Sequence, residues 1–127
     1  MPILSDFKFP SSAGDLQVTS GSPLFIAFLA SKDPVTKKPW CPDVVAALPI
    51  LEATFQGGKQ PTVAFVDVGQ RPEWKDPKNV FRTKWNVHNT PTLARYEKVG
   101  DEVKEVGRLV ESEILDQERL QKLIQGA

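Results

Sequence analysis

Hydrophobic positions along the chain fall into short blocks separated by turn chemistry. Leu24 to Ala30 (LFIAFLA) is an unbroken apolar run bounded by Ser22-Pro23 and Ser31-Lys32. A short continuous run of this kind suits a strand buried on both faces at the centre of an α/β sheet. Thr62 to Val68 (TVAFVDV) has the same character and is rich in β-branched residues, so it predicts a second buried strand. Between the two, Val44, Val45, Leu48, Leu51 and Phe55 recur at helical spacing. The predicted helix begins near Cys41. Pro42 fits its first turn, where a missing N–H costs nothing, and Asp43 favours the positive end of the helix dipole. Pro49 lies inside the run and predicts a kink rather than a stop, and Gly57-Gly58 predicts the end.

Downstream, Gly69 to Lys75 reads as loop. Asp76-Pro77 predicts the cap and first residue of a helix through about Trp85, burying Val80, Phe81 and Trp85. A third strand, Leu93 to Glu97, follows Asn89-Thr90-Pro91-Thr92. Gly100-Asp101 turns a hairpin into Val103 to Leu109. A closing amphipathic helix from about Glu113 to Gln125 offers Leu115, Leu120, Leu123 and Ile124 to the core. Upstream, Met1 to Ser22 is weakly patterned: Phe7 and Phe9 mark a short strand or staple, Pro10 to Asp15 a turn, and no substantial first helix is expected. The order strand, helix, strand, helix, strand, strand, helix predicts an α/β fold. Its central mixed sheet has a parallel βαβ part and a C-terminal antiparallel hairpin, flanked by helices.

Composition narrows the picture. A chain of 127 residues fits a single domain, 1–127. Sixteen basic residues balance sixteen acidic ones, which removes the electrostatic case for nucleic acid or an anionic membrane as partner. No apolar run approaches the ~20 residues of a membrane span, and Met1 to Pro10 lacks the basic and apolar regions of a secretory leader. The one cysteine makes no internal disulfide, so nothing requires an oxidising compartment. A cytoplasmic monomer is expected, with a Cys41-bridged dimer as the covalent route to self-association.

The candidate chemistry lies in Lys38-Pro39-Trp40-Cys41-Pro42-Asp43-Val44. A thiolate is the attacking species in thiol chemistry, and the unpaired N–H groups at a helix N-terminus favour negative charge there. Lys32, Lys37 and Lys38 add positive potential if their loop folds back, while Asp33 and Asp43 oppose it. Taken alone, a single cysteine is more often a small buried hydrophobe; Trp40, Pro42 and the helix start argue for an accessible thiol. His88 reads as a surface loop residue, Asp67 as a solvated strand end, and Lys37-Lys38 as a solvated loop. No phosphate loop, His-Glu metal motif or nucleophile elbow is present. A lone Cys and a lone His give no zinc site. No tightly bound cofactor is expected.

Ser31-Lys32-Asp33, Trp40-Cys41-Pro42-Asp43, Trp74-Lys75-Asp76-Pro77 with Asn79 and Phe81-Arg82, Pro91-Thr92-Leu93 with Tyr96, and Leu109-Val110-Glu111-Ser112-Glu113 carry a resemblance. From about Leu24 onward the chain is similar to the small cytosolic thioredoxin-related proteins, the thioredoxin domain-containing protein 17 family. The resemblance implies a thioredoxin-like fold and disulfide reduction on selected small proteins and peptides, with recycling by thioredoxin reductase. It makes Cys41 the nucleophile and Pro91 a cis proline facing it, with the Thr90 backbone turned toward a substrate strand that pairs by β-addition. Trp40, Pro42 and Asp43 join Thr90 and Pro91 as substrate-binding residues, Trp40 either as a platform or as an aromatic packing its loop. The buried acid of thioredoxins falls at Ala27, so no proton relay of that kind is implied.

One departure governs function. The family motif is Trp-Cys-Pro-Asp-Cys, and here the last position is Val44. A two-cysteine site attacks with the first sulfur and releases product with the second. With Val44 in place, a mixed disulfide at Cys41 has no internal resolver, and thioredoxin reductase lacks its disulfide substrate. Two readings follow. In the first, Cys41 is a monothiol oxidoreductase acting on small protein or peptide disulfides and glutathione mixed disulfides, with glutathione as co-substrate and resolver. In the second, the chain is a non-catalytic module that binds a protein segment along Trp40, Pro42 and Pro91. A monothiol glutaredoxin holding an iron–sulfur cluster fits less well, because no Gly-Gly glutathione loop lies near the last strand.

Overall fold

The computed structural model describes residues 3–4, 10, 13–56 and 61–126. The expectations at Phe7, Phe9, Ser11-Ser12 and Gly57-Gly58 lie outside these residues. One mixed sheet carries the strands β1 (Ile3–Leu4), β2 (Leu24–Leu29), β3 (Thr62–Asp67), β4 (Thr92–Val99) and β5 (Glu102–Val110), in the order β1-β3-β2-β4-β5. The central strand β2 runs parallel to β3, from Leu24 opposite Thr62 to Leu29 opposite Asp67. It runs antiparallel to β4, from Leu24 opposite Tyr96 to Phe28 opposite Thr92. β4 and β5 form the antiparallel hairpin, with a register shift between Arg95 and Tyr96. The two-residue β1 pairs parallel with β3 and extends the expected sheet by one strand. Its length explains why no alternation marked it.

Every residue of β2 is buried, as the apolar run requires. Its alternate side chains feed two core layers. Leu24, Ile26 and Phe28 join Val66, Trp74, Trp85 and Tyr96 on one face. Phe25, Ala27 and Leu29 join Val44, Leu51, Phe55, Ile114 and Leu120 on the other. On the first face Phe28 lies 6.2 Å from Trp85, and Trp85 meets Tyr96 edge-on at 5.9 Å, geometries that favour aromatic pairs.

Helix α1 (Pro42–Phe55) continues past Pro49 without a stop and buries Val44, Ala47, Leu51 and Phe55. Val45 faces outward instead, one step off the buried stripe. The helix expected over residues 77–85 is two short ones. α2 (Arg71–Lys75) lies in the stretch read as loop, and α3 (Val80–Thr83) begins after Asn79. Asp76 does not start a helix: its Oδ1 accepts the Lys78 N–H at 2.9 Å, and the Asn79 N–H closes a turn onto Asp76 O at 3.0 Å. Asn79 is the cap, accepting the Phe81 N–H at 2.9 Å. Trp85 is buried and Phe81 partly so, but Val80 is exposed.

The closing helix is also divided. A 3-10 segment, Glu111–Leu115, is followed by α4 (Gln117–Gln125), because Asp116 caps α4 by accepting the Glu118 and Arg119 N–H groups. Leu120 enters the core, Leu123 and Ile124 lie at its margin, and Leu115 is exposed, contrary to expectation. Buried Arg95 donates to Leu123 O and Ile124 O at 3.0 and 2.6 Å, placing a cation at the negative end of α4. Upstream, Ala13–Asp15 is a 3-10 turn rather than a helix, and Leu16 and Val18 are buried without joining a strand. Among the described residues no helix is long and apolar enough to cross a membrane.

Candidate thiol exchange site

The site forms where β2 ends and α1 begins. After β2 the chain makes a loop stitched by Asp33, whose Oδ1 accepts the Val35 and Thr36 N–H groups at 2.7 and 3.1 Å. Lys32 and Pro39 bridge the base of this loop. The chain then returns to the sheet, where the Trp40 N–H donates to Ser31 O at 3.3 Å. Trp40 packs against both core layers, and its indole Nε1–H donates to Gly69 O at 2.9 Å. Its ring therefore holds the loop to the turn after β3 while one edge stays accessible. The reading of Trp40 as an aromatic packing its loop describes this environment.

Cys41 is the N-cap of α1, with extended backbone (φ −98°, ψ 119°) and no side-chain capping bond. The Val44 and Val45 N–H groups both reach Cys41 O, at 3.0 and 3.2 Å. Pro42 has no N–H, so Asp43 supplies the remaining donor at the head of the helix. The Cys41 sulfur is half-buried and unbridged. Its thiol points at Thr90 O, 3.6 Å away. Thr90 and Pro91 are buried, and the bond between them is cis. Pro91 O accepts the Glu111 N–H at 2.8 Å, and the Thr92 hydroxyl donates to Asn89 O at 2.7 Å. The segment facing the sulfur is thus tied down on both sides. Pro42 and Asp43 are exposed on the first turn of α1.

Val44 is 0% exposed and belongs to the core layer beneath Cys41. Ala27, also fully buried, lies opposite Leu93 on β4 and Phe65 on β3. No carboxylate occupies that position. His88 is exposed and shares a 2.8 Å hydrogen bond with Asn86. Among the described residues no cluster of His, Cys, Asp and Glu is arranged to hold a metal.

Two cavities flank this region. One of about 630 Å³ opens at the ends of β2 and β3 and is lined by Leu29, Lys32, Glu52 and Asp67. Much of Asp67 is exposed, but partial desolvation pushes its carboxyl up, with Lys32 pulling the other way. Cys41 does not line this cavity. The second, about 600 Å³, is lined by Trp40 and Pro42, the two neighbours of Cys41, together with Lys38, Val45 and Arg71. It borders the two chain neighbours of Cys41, and Cys41 itself does not line it. Arg71 carried no sequence signal because its stretch was read as loop; the Pro72 and Glu73 that follow it were the available helix-start cues.

The sequence profile of the thioredoxin domain-containing protein 17-like thioredoxin domain matches residues 9–126. The chain belongs to this family. A thioredoxin domain-containing protein of Schizosaccharomyces pombe is 41% identical over 107 residues, covering 84% of this chain and 86% of the relative. Human thioredoxin domain-containing protein 17 is 38% identical over 78 residues, 61% of this chain and 63% of that protein. Among solved structures, Trichomonas vaginalis thioredoxin superposes with a TM-score of 0.58 at 21% identity, covering 84% of this chain and 80% of that one. At that identity the likeness shows the thioredoxin fold alone. The α/β architecture is accordingly that of this family, with Val44 standing at the end of the Trp40-Cys41-Pro42-Asp43 motif.

Proposed function

We propose that this thioredoxin-fold protein is a monothiol thiol–disulfide oxidoreductase. The observation that carries the reading is the pairing of a half-buried, unbridged Cys41, at the head of α1 and against Thr90, with a sealed Val44 beneath it. The Cys41 thiolate attacks the glutathione sulfur of a protein–glutathione mixed disulfide. A Cys41–glutathione disulfide forms, the protein–glutathione bond breaks, and the protein leaves as a thiolate that takes up a proton. A second glutathione thiolate then attacks the sulfur of the bound glutathione, giving glutathione disulfide and restoring the Cys41 thiolate. Each cycle releases one protein thiol from its mixed disulfide and consumes one free glutathione, leaving both glutathione moieties in one glutathione disulfide.

Residues of this chain serve that cycle by orientation. The α1 dipole favours negative charge on Cys41. Trp40 and Pro42 form the groove wall, Asp43 borders the sulfur from the first turn, and the backbone at Thr90-Pro91 is the edge along which a substrate segment pairs. Glutathione enters as co-substrate rather than as a resident cofactor, and a glutathione-rich cytoplasm is the fitting compartment. Small protein and peptide disulfides are alternative substrates. Nucleic acid and membrane are not among the partners, and the protein works as a monomer.

The test is turnover of a glutathionylated peptide with glutathione present. Turnover should depend on Cys41 and vanish in Cys41→Ser. A rate no higher than the uncatalysed exchange, or one unchanged in Cys41→Ser, overturns the reading. In that event a bound protein segment that survives Cys41→Ser would favour the non-catalytic module, for which the accessible Trp40–Pro42 groove is the supporting feature.

A further inference from the structure

The groove beside Cys41 has a charge pattern that thiol exchange alone does not use. Lys38 and Arg71 line it, together with Asp33. Asp33 Oδ1 accepts two backbone N–H groups in the loop turn, and its one negative charge faces two positive ones in the groove. Among the described residues neither Lys38 nor Arg71 forms an ion pair, whereas Arg95, Arg108 and Arg119 each hold a glutamate.

Arg71 is nevertheless held in position. Its guanidinium carbon lies 5.1 Å from the centre of the Trp40 ring, and its Nη2 donates to Trp40 O at 3.1 Å. Stacking and a backbone bond together fix the plane of the guanidinium next to the residue that precedes the nucleophile. A guanidinium carries five N–H donors in a rigid fork. One is committed to Trp40 O, and the others remain for a ligand in the groove. A fixed, unpaired arginine fork matches a carboxylate in geometry as well as charge. Lys38, on the loop side of the same groove, adds a second positive charge without a fixed geometry.

We propose that this groove is a carboxylate-recognising subsite: Arg71, assisted by Lys38, binds a carboxylate of the glutathione moiety while the attached sulfur is presented to Cys41. The proposal rests on the thiol-exchange reading and makes Arg71 the residue that sets preference for acidic short-peptide disulfides over neutral ones.

An unreactive ligand separates the two ideas. S-methylglutathione keeps both carboxylates and has no exchangeable sulfur. In a ¹⁵N NMR titration the Trp40 indole N–H should shift saturably with S-methylglutathione. The apparent affinity should fall about tenfold in Arg71→Gln, the loss expected for one charge-assisted hydrogen bond. It should fall similarly when both amine and carboxylates are masked, in the N-acetyl dimethyl ester, which is neutral. The Trp74 and Trp85 indole signals report that the variant is folded. In exchange kinetics, the ratio of rates for a glutathionylated peptide over a peptide capped with neutral mercaptoethanol should drop about tenfold in Arg71→Gln. No saturable shift, equal binding of the N-acetyl dimethyl ester, equal displacement by inorganic phosphate, or an unchanged rate ratio overturns the subsite. Binding that follows this pattern in a protein without Cys41-dependent turnover leaves the subsite standing and removes the enzymatic reading instead.

Discussion

Val44→Cys restores the family motif, and its consequences follow from the burial of this position. Val44 is 0% exposed, in the layer formed with Ala47, Leu51 and Leu93. Exchanging valine for cysteine there removes about one methyl group of packing, which costs roughly 1 kcal/mol. For a chain of 127 residues this lowers the melting temperature by about 4 °C, taking ~2.1 cal/mol/K of unfolding entropy per residue. Residue 44 lies three positions after Cys41, the spacing that brings two side chains together on one helix face. A disulfide between them closes a very short loop, so its entropic return is only about 2 kcal/mol. The reduced variant should therefore melt a few degrees below the parent, and the oxidised one at or slightly above it. Thiol titration should count two reactive thiols after reduction and none after oxidation. NADPH oxidation with thioredoxin reductase should be absent in the parent and gained, at least in part, by the variant. A folded Val44→Cys protein that keeps two free thiols under oxidising conditions would refute the claim that position 44 faces the Cys41 sulfur. A variant that forms the disulfide but draws no NADPH oxidation would show that the reductase no longer docks.

Two further outcomes concern the frame of the site. Asn79 accepts the Phe81 N–H and donates to Glu73 O and Val68 O, at 2.9, 3.0 and 3.3 Å. Asn79→Ala should cost about 1–2 kcal/mol, the range for a lost helix cap, read as a lower urea midpoint; a change below a few tenths would mean that the α2–α3 turn holds without it. At Asp67 desolvation raises the carboxyl from its ordinary 3.8, against the pull of Lys32. The folded state then binds this proton more tightly than the unfolded chain does, so the contribution to stability is complete below 3.8 and is lost as pH rises through the folded value. Asp67→Asn should raise the urea midpoint at pH 7 and flatten its pH dependence just above 3.8; a lower midpoint at pH 7 would contradict the assignment.

The elements that the sequence made legible are those whose environment is uniform along their length. LFIAFLA reads as a two-sided strand because both faces of β2 are covered. Val44, Leu51 and Phe55 read as one helix face because a single core layer receives them. The misread segments turn on competition between neighbouring polar side chains. Asp76 and Asn79 are both good caps, and which one starts a helix depends on Asn79 also reaching Glu73 O and Val68 O, contacts made in three dimensions. Asp116 likewise splits the closing helix by capping α4 within a stretch whose apolar spacing is continuous. At the site, Cys41, Trp40, Pro42 and Val44 were legible as consecutive residues. Thr90 and Pro91 came from the family pattern. Arg71 was not legible, because its place over Trp40 depends on Gly69 O binding the indole from a turn that is distant in sequence.

The connection between β2 and the nucleophile sets the order in which this region opens. β2 is bonded on both edges, and its ladder continues past Leu29: Val68 N–H reaches Leu29 O at 2.9 Å, Ser31 N–H reaches Gly69 O and Trp40 N–H reaches Ser31 O, each at 3.3 Å. Cys41 is therefore one residue from a backbone network whose amides exchange with solvent only when the sheet itself comes apart. The loop between Lys32 and Pro39 closes on its own Asp33 turn and is tied to the turn after β3 by Gln70 Nε2–H donating to Lys32 O at 2.7 Å, so beyond that tie its opening leaves the sheet ladder intact. The groove wall that carries Lys38 can thus be released and reformed many times while the sulfur keeps its position against Thr90.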